Sequence, residues 1–283
     1  MNTSEFHAIY DKADTKESFY LFLENVFHLY PEAKYHQLIA DATARFQDDE
    51  SIYKYIVAKL PGIKPFLSEV TYALPALKKQ KKEMARQTLD VIGDRKVING
   101  LVEIGSTGRY VSQFRKEVKV KEPVYLINDA AATNSLNDIF ERGSLFKIGK
   151  FVPLNHYAPI PERVIASNSV DMVTCFIGLH HCPPDLLDGF VQSIYRILRK
   201  EGIFVLRDHD VQSKEMHTFV SLVHTVFNSG TNVSWDFEHT DYKRFISAEE
   251  WSKYLTGFGF TDTHKRILQV KDPSLNTLMG FVK

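Results

Sequence analysis

Three short stretches of this sequence bring together residue types that could do chemistry. The first is VEIGSTGRY, Val102–Tyr110, where an apolar run ends on Glu103 and is followed by Gly105, Ser106 and Gly108. Glycines tolerate positive φ and admit a ligand close to the backbone, so a strand, turn and helix of this kind can bind a nucleotide; alone, it could equally be a tight structural turn. The second is Asp129, which closes VYLIND a strand, helix and turn later. A carboxylate there can accept hydrogen bonds from both ribose hydroxyls, whereas the bland alternative is a helix cap. The third is RDHD, Arg207–Asp210, behind the apolar run GIFVL. Ligands of open α/β sheets bind at the carboxyl edge of the strands, where these polar residues fall. His209, with an ordinary pKa near 6.5, could take a proton from an acceptor hydroxyl or amine, with Asp208 or Asp210 fixing its tautomer. The competing picture is a salt-bridged loop in which Arg207 pairs with one of the acids.

A fourth stretch, LHHCPPD, Leu179–Asp185, offers the ligand types His180, His181 and Cys182. Adjacent side chains point in different directions, and no second His/Cys pair lies nearby at zinc spacing, so no metal is expected. Nothing in the sequence lowers the thiol pKa of Cys182, which leaves it a poor candidate nucleophile.

The elements that would position these residues alternate. NGLVEIG, VYLIND, SVDMVTCFI and GIFVLRD are short apolar runs that read as buried parallel strands, and Asp185–Arg199 between the last two carries apolar residues at helical spacing. Strand and helix in turn predict a doubly wound α/β sheet. Residues 4–93 instead repeat apolar residues at helical spacing and are punctuated by Pro31, Pro61, Gly62 and Pro65, predicting about four to six short helices. Their basic cluster KKQKKEMAR, Lys78–Arg86, reads as a solvated helix face. Residues 211–247 interrupt the sheet rhythm with a helical portion and an aromatic, polar run, an insertion that could act as a lid. Ser247 should cap a helix beginning SAEEW, and THKRILQV and NTLMGFVK should be terminal strands. The expected division is a helical segment over 1–93 and a nucleotide-binding domain over 94–283.

Taken in order, EIGSTGRY, IND, SVDMVTCFIGLHHC, YRILRKEG before GIFVLRD, and the SAEEW and GFGF tail resemble the class I S-adenosylmethionine-dependent methyltransferases of the small-molecule type, from about residue 99 to the end. The resemblance implies a Rossmann-like, mainly parallel seven-stranded sheet. It implies S-adenosylmethionine as cofactor, with Glu103 at the methionine amino group, Gly105, Ser106 and Gly108 backing the methionine moiety, and Asp129 at the ribose. Asn155 falls where an acid often meets the adenine amino group, and Phe176 and Gly178 would line the methionine side. Two departures stand out: the glycine turn is one glycine short, and RKEG replaces the usual Pro-Gly-Gly turn before the fifth strand. Methyl transfer from a sulfonium needs alignment and exclusion of water, and a base only where the acceptor must lose a proton. His209, His181 and Asp208 are the catalytic candidates, and Tyr157, Trp235, Phe237 and Tyr242 could wall an acceptor pocket.

Lys plus Arg and Asp plus Glu are both 35, so the chain has no overall field to attract nucleic acid or an anionic membrane, and any such binding must be local. A small-molecule O or N acceptor is the first expectation and a protein acceptor the second; nucleic acid and membrane are disfavoured. Two cysteines and a polar opening without a secretory pattern suit the cytoplasm. The competing functions are a dehydrogenase, which the two-glycine turn and the terminal pattern weaken, and a catalytically silent protein-binding scaffold, which the shortened turn favours. The identity of the acceptor and the oligomeric state are not written in the sequence.

Overall fold

The structure, a computed structural model, describes residues 4–27, 29–63, 74–176 and 178–283. Contacts gather it into two compact units, one of residues up to 76, 209–241 and 269–275, the other of residues 77–208, 242–268 and 276–283.

The first unit is helical, as its periodicity predicts. Helices α1 (Glu5–Tyr10), α2 (Ala13–Phe22), α3 (Glu32–Arg45) and α4 (Asp49–Ile63) are joined by α9 (Lys214–Gly230) and α10 (Trp235–Thr240), which the insertion supplies. Ser4, Ser213 and Ser234 cap α1, α9 and α10 by accepting backbone N–H groups of the first turn. The apolar stripes meet in one core: Phe6, Phe19, Phe22 and Leu23 pack with Tyr35, Ile39, Ile52 and Ile56, and with Phe219, Leu222 and Val226 of α9. The Tyr35 hydroxyl ties α3 to α9 by donating to the Val226 carbonyl at 2.9 Å. Aromatic faces thus find partners within the unit, and Trp235, expected as a pocket wall, packs on Tyr53 and stacks on His239. Pro65 falls outside the described residues.

The second unit is the doubly wound sheet. Its strands are β1 (Val97–Ile104), β2 (Lys119–Asn128), β3 (Lys150–Pro153), β4 (Val170–Cys175), β5 (Leu198–His209), β6 (Thr261–Leu268) and β7 (Asn276–Val282), in the order β3-β2-β1-β4-β5-β7-β6. β1 is parallel to β2 and β4, β2 to β3, and β4 to β5, whereas β6 and β7 are antiparallel. The expected architecture is therefore present: a seven-stranded, mainly parallel sheet accompanied by a helical part.

Alternation along the strands splits the apolar residues between two faces. Val102 and Ile104 of β1, Val173 and Cys175 of β4 and Phe204 and Leu206 of β5 pack under α8 (Pro184–Ile197) and α11 (Ala248–Thr256). Leu101, Met172, Ile203 and Val205 pack under α5 (Leu74–Ile92) and the short α6 (Val111–Phe114). Ser247 closes a full capping box with Glu250 at the start of α11, as the sequence predicts. The basic cluster on α5 behaves less simply: Lys78, Lys79 and Lys82 are exposed, but Lys81 is buried and donates to the Phe140 carbonyl at 2.9 Å, so the cluster is only partly a solvated face. The helix α7 (Leu136–Arg142) links β2 to β3. Among the described residues no helix is long and apolar enough to cross a membrane.

Candidate functional site

The carboxyl ends of β1, β2 and β4 bring together the candidates on which a cofactor would depend. β1 delivers Glu103, whose side chain follows Leu101 onto the α5 and α6 face and is 2% exposed. After it the chain must turn within a few residues into α6, and Gly105 and Gly108 do so with φ of 82° and 96°. A Cβ on Gly108 would make only ordinary contacts, 3.4 Å from Leu126 and 3.5 Å from Ile148, so there it is the positive φ that favours glycine. The Gly105 N–H donates to the Ile127 carbonyl at 2.8 Å, tying the turn to β2.

Ser106 closes the turn. Its hydroxyl donates to the Glu103 carboxylate and accepts from the N–H groups of Gly108 at 3.0 Å and Arg109 at 3.1 Å. Burial drives the Glu103 carboxyl above its ordinary value, opposed by the Ser106 hydroxyl, the Tyr110 backbone and the charges of Arg109 and Lys81. A desolvated carboxylate whose nearby cations do not fully offset its burial is suited to receive an ammonium group. Tyr110, not singled out in the sequence, is buried beside it with its ring edge-on to Phe176 at 5.0 Å.

β2 ends at Asn128, and Asp129 follows it exposed on the same sheet edge. Ser106, Thr107, Asn128, Ala130, Ala132 and Gly149 border an open cleft. Beyond β3, the residues Asn155, His156 and Tyr157 have φ of 49°, 53° and 63°. Three consecutive non-glycine residues in the left-handed region cost of order 1–3 kcal/mol each, strain that surrounding contacts must hold. Part of that hold is visible: the Leu154 N–H donates to the Asn128 carbonyl at 3.0 Å, and the Tyr157 hydroxyl donates to the Gly178 carbonyl at 2.5 Å while its ring packs edge-on to Phe190. Gly178, φ 112°, lets that hydroxyl approach, since a Cβ there would sit 3.1 Å from it. Asn155 and Gly178 are thereby fixed through one tyrosine.

The rings of His180 and His181 lie 4.4 Å apart, but the histidines take different partners. His180 is buried with its Nδ1 2.9 Å from Asp208 Oδ1, and its carbonyl accepts the Arg244 N–H at 2.8 Å. His181 is partly exposed, and its Nδ1 lies 3.3 Å from the Tyr242 carbonyl. His209 is buried in the helical unit, Nδ1 2.7 Å from the Ser274 carbonyl and ring 5.4 Å from that of His224. The tautomer partner expected for His209 is therefore replaced: Asp208 meets His180, Asp210 accepts from Gln212, and a backbone carbonyl meets His209. Strand alternation is the reason, because Asp208 continues the Leu206 face of β5 while His209 points the other way. Burial pushes the Cys182 thiol up to about 12, with Asp185 adding to it, which opposes thiolate chemistry at neutral pH.

Residues 150–206 match the family model described as a methyltransferase domain, a span that runs from β3 through most of β5. No curated protein sequence matches the chain. Among solved structures, the mitomycin 7-O-methyltransferase MmcR is similar at 13% identity, with 89% of this chain and 69% of that one covered and a TM-score of 0.50. The 1,6-didemethyltoxoflavin N1-methyltransferase of Burkholderia thailandensis is similar at 12% identity over 82% of this chain and 87% of its own, with a TM-score of 0.47. At such identities the likeness is one of fold. The chain is thus similar to a methyltransferase domain over residues 150–206 and shares its fold with a solved methyltransferase. The donor set would fit S-adenosylmethionine: a buried carboxylate, a turn with two glycines of positive φ and an exposed carboxylate one strand over.

Proposed function

We propose that this protein transfers the methyl group of S-adenosylmethionine to an oxygen or nitrogen of a small molecule. The observation that carries the reading is the pairing, on one sheet edge, of the desolvated Glu103 and its Gly105–Gly108 turn with the exposed Asp129. When bound, the cofactor supplies an electrophilic methyl on a sulfonium. Glu103 would accept the methionine ammonium, with Gly105, Ser106 and Gly108 backing the methionine chain and Phe176 and Gly178 flanking it. Asp129 would accept from the ribose hydroxyls, and Asn155, through its side-chain oxygen, from the adenine amino group.

The acceptor proton, where one must leave, needs a base within about 3 Å, directly or through one water. His181 is the first candidate: with Nδ1–H directed at the Tyr242 carbonyl, its Nε2 is the basic nitrogen. His209 is the second, its Nδ1 likewise against a carbonyl. Asp208 acts on His180 and so serves as a positioning residue. Calorimetry with S-adenosylmethionine and with S-adenosylhomocysteine tests the binding half of the reading, and a mass search of extract components for a gain of one methyl group tests the transfer. Absence of any cofactor binding would favour a silent scaffold, which the closed turn around Ser106 supports.

A further inference from the structure

We propose that residues 144–151 form a docking element for an anionic lipid bilayer surface. Between α7 and β3 the chain presents Leu145 and Phe146, 72% and 81% exposed, with Phe140 and Phe151 partly exposed beside them in sequence. Isolated exposed apolar residues are ordinary, but consecutive large ones grouped in one short segment mark a contact surface.

The second observation is how that segment is held. Arg142 is fully buried, and its guanidinium donates to the carbonyls of Thr133 at 2.6 Å, Ser144 at 2.9 Å, and Leu145 and Phe146 at 3.1 Å each, and to the Asn134 side chain at 3.3 Å. A buried charge is expensive unless its donors are satisfied. Here the acceptors are the backbone of the segment itself, so the arginine turns the carbonyls of residues 144–146 inward while the Leu145 and Phe146 side chains face solvent.

The flanking charges select the occupant. Lys147 and Lys150 are exposed on the chain just beyond the apolar pair. Two protruding apolar side chains followed by lysines suit the headgroup boundary of a bilayer, where the apolar tips enter the acyl edge and the ammonium groups reach lipid phosphates. The zero net charge of the chain does not oppose this, because the attraction is local. The proposal does not rest on methyl transfer.

The test is sedimentation of the purified full chain with vesicles of phosphatidylcholine alone and of phosphatidylcholine with phosphatidylserine, at low and high salt. The expected result is binding to the phosphatidylserine vesicles that weakens with salt. The L145S/F146S variant should lose it by about tenfold or more, because transfer of the apolar tips is removed. The K147Q/K150Q variant should lose it by about 30-fold, at roughly fivefold per lysine removed. Thermal melting of both variants must match that of the parent chain. No sedimentation with either vesicle, or undiminished binding by L145S/F146S, overturns the proposal. So does a parent chain that elutes as a dimer which L145S/F146S makes monomeric, since a second copy would then occupy the surface.

Discussion

Glu103→Gln separates what the buried carboxyl does for the fold from what it does for the cofactor. The carboxyl is 2% exposed and its pKa stands above the ordinary 4.5 because burial disfavours the anion more than Ser106, the Tyr110 backbone, Arg109 and Lys81 favour it. The folded chain therefore holds the proton more tightly than the unfolded chain does. Stability falls as pH rises from the unfolded value through the raised folded one, and the penalty is complete above the latter. Each pH unit of that displacement is about 1.4 kcal/mol. Glutamine keeps an acceptor oxygen for the Ser106 hydroxyl and the Tyr110 amide but carries no charge, so melting at pH 8 should be unchanged or higher, with a flatter dependence on pH above the ordinary carboxyl value. Cofactor affinity should move the other way. A hydrogen bond to a charged group contributes about 1.5–3 kcal/mol, which predicts roughly 10- to 150-fold weaker S-adenosylmethionine binding by calorimetry. In the parent chain, binding should also weaken toward acid pH, since the ammonium requires ionised Glu103, and the variant should lose that dependence. A variant that melts lower at pH 8 and binds the cofactor as before would refute the reasoning and leave Glu103 as a structural anchor of its turn.

Asp129→Ala, at an exposed carboxylate, should weaken cofactor binding by about 1.5–3 kcal/mol with no change in melting; unchanged affinity by calorimetry removes Asp129 from the site. His181→Ala should lower turnover by roughly 10²–10⁴-fold at nearly constant cofactor affinity, and His209→Ala should not; the reverse pattern in single-turnover assays moves the base to His209. Asp262 probes the second unit alone: despite burial, Arg266 at 2.6 Å, Ser252 at 2.5 Å and the His264 N–H at 2.7 Å hold its carboxyl down at about 2, from an ordinary 3.8. That stability is present above the ordinary value and lost as pH falls through the depressed one, so Asp262→Asn should lower unfolding free energy by about 2 kcal/mol at pH 7 and have little effect near pH 2 in denaturant titrations.

The sheet was legible because its central strands are buried on both faces and so read as apolar runs, unbroken in VYLI and IFVL and interrupted by Glu103 alone in LVEI. The helical part was legible by periodicity, and Ser247 by its capping box with Glu250. What a reading along the chain does not express is that the helical unit draws on three separate segments and its core on two of them, with Phe219, Leu222 and Val226 from the insertion packed among residues of α1 to α4. Which distant amphipathic stripes meet is decided by burial in three dimensions, and periodicity gives only the stripe.

The same limit governs the site. Glu103, Gly105, Gly108 and Asp129 were found because strand ends and glycine turns leave a local trace, and the shortened turn was visible as a missing glycine. The replacement partner was not: Ser106 supplies by side chain a closure for the Gly108 and Arg109 amides that no spacing rule announces. Arg142 left no signal, since an arginine at a helix end reads as solvated until its carbonyl acceptors fold around it. The reassignment of Asp208 could have been drawn from the sequence. In GIFVLRDH the alternation that puts Phe204 and Leu206 on one face carries Asp208 with them and sends His209 to the other, so one imidazole and one carboxylate adjacent in a strand are barred from pairing and each must find its partner elsewhere.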